Sequence, residues 1–473
     1  MSSTIASASA LVSAIVAGLA LVFVWGGTES VYFDWVAMDD DLTTAELAEL
    51  RNPISSAEAY SYTDSYSDGG GMSSAPVKNG DNFVLWLNVS GFRADYVEDS
   101  DTPFFDEVRP SSGTLIPTFP TVHYPSLISQ ATGTLPSVHG VIGDSMLDPE
   151  TKEVKRFPTN LAQLKAEPIW NTAKKQGISV LVHDWPFSQV QPAENGADVF
   201  MAEYDEGKSD EERLNALLDA WTAYQGEKKI RLAMASLIDL KKSARENGPK
   251  EPDTLASVTT LDSTLKAFFE KLEAKWPDLR NDEGDKLTVI ISTDHGSANS
   301  DKLINYEELM GKLGQQVDYA VTDGIAHLWF KELPAGADQE DFEEGYDDEL
   351  KKRIYWRSYS KGNYPSTWGL GKDGGNMFGD RFLVLKPGYA FTNESGTEPV
   401  FDPSEAGGPY AASGYAVSDS SRMKGQTFIF RLDGGGYSSS LGEIQGTQLH
   451  ATVCKLLKID PASGADTQAL DVD

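Results

Sequence analysis

"TVIISTDHGSA" runs from Thr288 to Ala298. Its first six residues, Thr288 to Thr293, are mostly β-branched and read as a buried strand. The run stops abruptly at Asp294-His295-Gly296. In an open α/β sheet, function gathers beyond the carboxyl ends of the strands. A strand that ends on a carboxylate, an imidazole and a flexible residue is how many α/β enzymes present metal ligands.

Moving outward from this corner, short apolar runs alternate with helical patterns. "FVLWLNV" from Phe83, "ISVLVH" from Ile178, "IRLAMASLI" from Ile230, "LTVIIST" from Leu287, "IAHLWF" from Ile325, "RFLVLK" from Arg381 and "TFIFRL" from Thr427 are strand candidates. Leu255, Val258, Leu261, Leu265, Phe268, Phe269 and Leu272 fall on one helical face. "SDEERLNALLDAWTAY" is a second helix, with Ser209 as its N-cap and acids in its first turn. Such alternation implies an α/β fold: a mainly parallel sheet covered by helices on both faces.

Composition narrows the function classes. The formal net charge is −32 over 473 residues, which argues against a nucleic-acid partner, because phosphate backbones require clustered Lys and Arg. Cys454 is the only cysteine, so no internal disulfide and no cysteine-cluster zinc site is available. It sits in the helical pattern "LHATVCKLLKI" and reads as a small core residue.

Residues 1–27 read as a membrane helix. Ile5 to Trp25 carries no charge, and at about 1.5 Å per residue it reaches across roughly 30 Å, one hydrocarbon core. With no basic region before it, it does not resemble a signal peptide and is expected to be retained. Ala6, Ala10, Ala14 and Gly18 recur every four residues, a small-residue stripe that lets a neighbouring subunit's helix approach closely. Residues 28–80 form an acidic segment and then, from Thr63 to Gly80, a Gly/Ser-rich tether. The globular domain occupies 81–473. The expectation is a single-pass membrane protein with the domain on the non-cytosolic side; a mitochondrial inner membrane, a plasma membrane and an endomembrane are equally compatible.

Four stretches lie at or beyond strand ends: "LNVSGFRADYV" (Leu87–Val97), "IPTFPTVHYPSLISQATGTLPSVHGVIGDSMLDP" (Ile116–Pro149), "VHDWPFSQ" (Val182–Gln189) and "TDHG". In order and interval they resemble the alkaline-phosphatase superfamily, in its nucleotide pyrophosphatase/phosphodiesterase branch. "GDRFLVLKPGYAF" (Gly379–Phe391) resembles that family's late strand pair. The resemblance spans roughly Phe83 to Ile459 and implies an α/β/α sandwich. It also implies two zinc ions clamping a phosphate that a threonine attacks.

The resemblance carries over unevenly, position by position. The strand-end Asp of the family's Asp-Gly-Phe-Arg is Ser90, and the nucleophilic Thr falls on His123. The Asn and His after the next Pro are Ser126 and Leu127. Asp294 and His295 match the Asp-His-Gly corner. The Asp of the Asp-x-x-x-His pattern aligns with Asp239, which puts its His at Ser243; aligning on Gly248-Pro249 gives Lys241 and Arg245, a poorer match. The last His falls on Ser413.

A carboxylate, two histidines and the nucleophile are thus replaced at Ser90, His123, Ser243 and Ser413. The reading is a catalytically inactive phosphodiesterase-like protein, with no catalytic residue and no cofactor expected. Its role is that of an accessory subunit or binding module of a membrane complex. One alternative is a divergent, membrane-tethered phosphoesterase with a single zinc on His123, Asp294 and His295. Another is a pseudoenzyme that senses a small molecule in the old cleft. On the inactive reading, Asp294 caps the backbone that follows it and His295 bonds locally. His139, His183, His327 and His450 read as packed residues. Arg93 and Asp95 read as a local ion pair. Asn88 and Asn393 begin glycosylation sequons, the first inside a strand.

Overall fold

The computed structural model describes residues 80–472 except 149–150, 152, 157–160, 193, 202, 334–335, 372–377, 435–439 and 467. Towards the amino terminus it describes only the strands Val12–Ile15, Leu21–Val24 and Phe33–Asp34. These pair antiparallel in sequence order. The first two lie inside the apolar stretch expected to form a membrane helix, and their Val and Ile residues suit strand pairing. No helix of the described residues is long and apolar enough to cross a membrane. The rest of Ile5–Trp25, with Ala6, Ala10 and Gly18, and the tether as far as Asn79 lie outside the described residues. The chain divides into two compact units, Met1–Ala75 and Pro76–Asp473.

The second unit is built on an eight-stranded sheet. In chain order its strands are β1 (Asn82–Val89), β2 (Ser112–Ile116), β3 (Ser179–His183), β4 (Val199–Phe200), β5 (Ile230–Leu237), β6 (Lys286–Ser292), β7 (Gly425–Arg431) and β8 (Gly442–Gln445). Their order across the sheet is β8–β2–β7–β6–β1–β5–β3–β4. Only β7 runs antiparallel to its neighbours, so the sheet is mainly parallel, as the alternation implies.

Strand β1 shows why the run from Phe83 is apolar throughout. Val84 and Trp86 enter a core on one face, and Phe83, Leu85, Leu87 and Val89 enter a second core on the other. A strand buried on both sides has no place for polar alternation. Helices α1 (His123–Thr132) and α5 (Gln448–Leu457) cover the first face. Helices α2 (Asp210–Ala223) and α4 (Pro252–Leu279) cover the second. The result is the expected α/β/α sandwich. Helix α2 begins with a full capping box: Glu212 N–H donates to Ser209 Oγ, and Ser209 N–H donates to Glu212 Oε2 at 2.8 Å. Cys454 is buried in α5 as a free thiol.

Two of the strand candidates belong elsewhere. Ile325–Phe330 and Arg381–Leu385 lie in a separate four-stranded antiparallel sheet with Val317–Thr322 and Trp356–Ser360. The cause is local. Asp323-Gly324 makes a two-residue turn, with Asp323 at φ +47°, so the chain folds straight back on itself. A third core, around Tyr306, Leu328, Tyr346 and Phe391, packs this sheet against another four-stranded one centred on Ala298–Asn305.

Candidate functional site

Strands β1 and β6 pair in register as far as Asn88 opposite Ser292, so the residues just beyond them, Ser90 and Asp294, emerge together. The first residue of α1, His123, completes the group. The Asp294 carboxylate is fully buried and accepts four short hydrogen bonds. Oδ2 takes the Ser90 hydroxyl at 2.6 Å and His123 Nδ1 at 2.5 Å. Oδ1 takes the backbone N–H groups of Gly91 at 2.9 Å and His295 at 2.7 Å. His295 Nδ1 donates to the Gly296 carbonyl at 2.7 Å. Asp294 and His295 therefore do what a strand-end cap and a locally bonded histidine do. Gly296 is required by crowding, because a Cβ there would lie 2.0 Å from the Arg422 carbonyl oxygen.

Burial alone would raise the pKa of Asp294, but His295, His123 and Lys241 outweigh it and hold the carboxyl well below its usual range. Burial pushes His295 below the ordinary imidazole range, against the opposing pull of Asp294.

Ser90, His123 and Asp294 are a serine, a histidine and an aspartate in mutual contact, yet they are not a relay. Serine activation needs the hydroxyl on one ring nitrogen and the carboxylate on the other. Here both oxygens meet the same Nδ1, the Ser90 hydroxyl at 3.2 Å, and Ser90 itself donates to Asp294. Because Asp294 can only accept, Nδ1 carries the proton.

The structure places Asp239 and Ser243 away from Asp294. Asp239 is the first residue of helix α3 (Asp239–Asn247), and its Oδ2 accepts the Asp210 N–H at 2.7 Å. Ser243 turns toward α4, where the Ser257 hydroxyl donates to it at 2.9 Å. The residues of α3 that face the site are Lys241 and Arg245, spaced four apart and so on one helical face. Together with Gly91, His295, Asp323 and Ser413 they enclose a space of about 10 Å³, about one water-sized sphere. Gly91, at φ +77°, lets α3 approach: a Cβ there would meet Lys241 Cβ at 3.3 Å.

Arg245 is ion-paired with Asp323, and Asp323 Oδ2 accepts both the N–H of Ser413 at 3.0 Å and its hydroxyl at 2.8 Å. Burial raises Asp323, but Arg245, Lys241 and the Ser413 hydroxyl bring it down to about 2. Sequence reading missed Asp323. Its only signal was the Asp-Gly turn, which argues for a hairpin and not for a site.

These residues do not fit the family's metals. Two zinc donors at about 2.1 Å from one tetrahedral ion lie roughly 3.4 Å apart, whereas His123 Nδ1 and Asp294 Oδ2 are hydrogen-bonded at 2.5 Å. Lys241 and Arg245 border the same small space as His295, and their charge would oppose a dication held there. Among the described residues no group of three or more His, Cys, Asp and Glu is arranged to hold a metal ion.

The remaining histidines are structural. His139 bonds the Ser129 hydroxyl at 2.9 Å, His327 lies between two backbone carbonyls, and His450 Nδ1 bonds the Ala131 carbonyl. His183 is buried at its strand end, and its Nδ1 has no partner among the described residues. Arg93 and Asp95 form the expected ion pair at 2.7 Å. Asn88 is fully buried and donates to Ser236 Oγ, while Asn393 is exposed.

Beyond Asp294 the site opens into a cavity of about 580 Å³, bordered by His123, Tyr124, Asp144, Lys241, Arg245 and Phe391 among others.

A profile of the type I phosphodiesterase / nucleotide pyrophosphatase family matches residues 84–416. An uncharacterized pyrophosphatase/phosphodiesterase of Schizosaccharomyces pombe is 25% identical over 309 residues, covering 60% of this chain and 59% of that protein. The human ectonucleotide pyrophosphatase/phosphodiesterase family member 1 is 27% identical over 225 residues, 45% of this chain and 23% of that one. The chain thus spans 59% of the first of these relatives and 23% of the second, less than two thirds of either. Among solved structures, murine ectonucleotide pyrophosphatase/phosphodiesterase 5 superposes with a TM-score of 0.66 at 18% identity, covering 83% of this chain and 97% of that one. At that identity the likeness concerns the fold.

Proposed function

The chain belongs to the type I phosphodiesterase / nucleotide pyrophosphatase family, and from that premise we propose that it is a catalytically inactive member. It serves as an accessory subunit or binding module of a membrane complex. The observation that carries this reading is the state of Asp294: its carboxylate is filled by Ser90, Gly91, His123 and His295, and Lys241 and Arg245 border the space beside it. The hydroxyl nucleophile and the metal charge clamp each commonly contribute several orders of magnitude in rate. On the family alignment His123 stands at the nucleophile's position, and Ser90, Ser243 and Ser413 stand at metal-ligand positions.

Two measurements test this together. After purification with zinc present, elemental analysis is expected to find well under one zinc per chain. Turnover of a nitrophenyl phosphodiester is expected to stay at the buffer rate, with or without chelator. Near-stoichiometric zinc, with turnover abolished by His123→Ala or Asp294→Ala, would sink the proposal and favour the single-zinc phosphoesterase.

The membrane role rests on the uncharged stretch Ile5–Trp25 and its stripe of Ala6, Ala10, Ala14 and Gly18. Replacing Ala14 and Gly18 by Leu should weaken co-purification of partner subunits while leaving membrane insertion intact, because bulk at a close helix contact blocks approach without reducing apolarity. Unchanged partners in the double variant would make the stripe incidental.

A further inference from the structure

Asn88-Val89-Ser90 and Asn393-Glu394-Ser395 both carry the Asn-x-Ser pattern that accepts an oligosaccharide on asparagine. The fold treats them in opposite ways. Asn88 lies in β1 and is fully buried, and its Nδ2 donates to Ser236 Oγ at 3.0 Å. A sugar on that nitrogen would displace Ser236 and the strand that carries it, so a chain modified there could not close the sheet. Asn393 is the first residue beyond the strand Gly388–Thr392, and Asn393, Glu394 and Ser395 are all exposed. The bend is fixed by its neighbours. Glu394 N–H donates to Thr392 Oγ1 at 3.0 Å, Asn305 Nδ2 to the Glu394 carbonyl at 3.0 Å, and Ser395 Oγ to Glu308 Oε1 at 2.5 Å.

Asn393 also stands on a rim shared by two spaces. One is the 580 Å³ cavity beyond Asp294; the other is a groove of about 420 Å³ beside it. The groove is walled by Val154, which is 42% exposed, by the half-buried ring of Tyr319 and by Glu307.

We infer that Asn393 is an N-glycosylation site and that the innermost sugars of its oligosaccharide lie in this groove. The inference rests on the expectation that the domain faces the non-cytosolic side, and among the membranes compatible with the sequence it selects one of the secretory pathway. The donor is an oligosaccharide linked to a lipid through a diphosphate. Asn393 Nδ2 attacks the anomeric carbon, and a C–N bond forms as the C–O bond to the diphosphate breaks. The lipid diphosphate leaves with that electron pair, and one amide proton is released.

The groove falls within the range of about 300–1,000 Å³ that holds drug-sized molecules, and a pair of sugar rings is of that size. A pyranose has an apolar C–H face and a rim of hydroxyls. Tyr319 and Val154 match the face. Glu307, which accepts the Tyr319 hydroxyl at 3.1 Å, offers carboxylate oxygens to the rim. A glycan seated there also narrows the mouth of the larger cavity.

The test uses the full chain, made in a eukaryotic secretory host and extracted in detergent. Peptide-N-glycosidase in heavy-oxygen water turns each glycosylated asparagine into a labelled aspartate, which mass spectrometry locates. The label is expected at Asn393 and not at Asn88, and Ser395→Ala should abolish it. Release from the native protein should be at least about tenfold slower than after denaturation, the factor for sugars docked about nine-tenths of the time. Tyr319→Ala should bring the native rate close to the denatured one, whereas Tyr319→Phe, which keeps the ring, should not. Tyr319 packs against Tyr306, so Val154→Asp, on an exposed strand, tests the same contact if the alanine variant fails to fold.

An unlabelled Asn393 overturns the site, and a labelled Asn88 overturns the choice between the two sequons. Native release as fast as denatured release overturns the seating in the groove. Protease treatment of sealed microsomal vesicles separates the two causes of an unlabelled Asn393. A protected domain sinks the site alone and leaves the non-cytosolic expectation standing, while a digested domain sinks both.

Discussion

Replacing Asp294 by alanine is expected to destabilise the domain by about 3–5 kcal/mol, the range seen when one partner of a buried charged network is removed. The side chain is fully buried and accepts from Ser90, Gly91, His123 and His295. Alanine leaves two backbone N–H groups, a hydroxyl and an imidazole N–H without acceptors in a space that water hardly reaches. Asp294→Asn keeps an oxygen for Gly91 and His295 but turns an amide NH₂ toward two groups that are themselves donors. It should lose about 1–3 kcal/mol.

The measurement is urea unfolding in chelator. A residue that contributed only as a metal ligand would cost little there, so a loss below about 1 kcal/mol would refute a structural role. The same carboxylates set the acid limit. Asp294 and Asp323 both have folded pKa values below their ordinary value of 3.8. Their contribution is therefore complete above that pH and is lost as pH falls through the folded values, for Asp323 near 2.

The second large effect lies at the end of β3. Arg213 and Asp184 form an ion pair with both side chains essentially inaccessible, and Arg213 also donates to the Asp205 carbonyl. Asp184 Oδ1 and Arg213 Nε have no partners among the described residues, so there the pair is incompletely satisfied even when intact. Arg213→Ala should cost about 3–5 kcal/mol at neutral pH, because a buried carboxylate loses its counter-charge. Burial already raises the pKa of Asp184 against the pull of Arg213. Without Arg213 the folded pKa should rise further, above the unfolded value, so the variant's deficit should shrink as pH falls and Asp184 takes a proton. Asp184→Asn added to Arg213→Ala should recover part of the loss. A deficit that does not change with pH, or a double variant no better than Arg213→Ala alone, would contradict this account.

Much of the fold was legible in residue pattern. The runs from Phe83, Ile178, Ile230 and Leu287 are central strands buried on both faces, and burial of that kind writes itself as continuous apolar sequence. The helix around Leu261 and the Ser209 cap were equally plain. The strands from Ile325 and Arg381 carried the same apolar signal but not the information about which sheet they join, because that depends on the Asp323-Gly324 turn and on partners far away in sequence.

The site was legible in part. Ser90, His123, Asp294, His295 and Ser413 could be found by position along recognisable stretches. Lys241 and Arg245 could not be chosen over Asp239 and Ser243 without knowing that α3 starts at Asp239, since helical phase decides which side chains face β1 and which face α4.

The placement of β7 also defines the smallest piece of this chain that can hold the sheet together. The family profile ends at residue 416, but β7, from Gly425 to Arg431, lies between β2 and β6 and is hydrogen-bonded to both. Strand β8, from Gly442 to Gln445, pairs only with β2. A chain that stopped at 416 would leave β2 with no strand on either side and open the flank of β6 to solvent. The residues that resemble a phosphodiesterase and the residues that fold as one body are different sets. The second set runs well beyond 416, through α5 packed over β1 to Val472, which enters the first core.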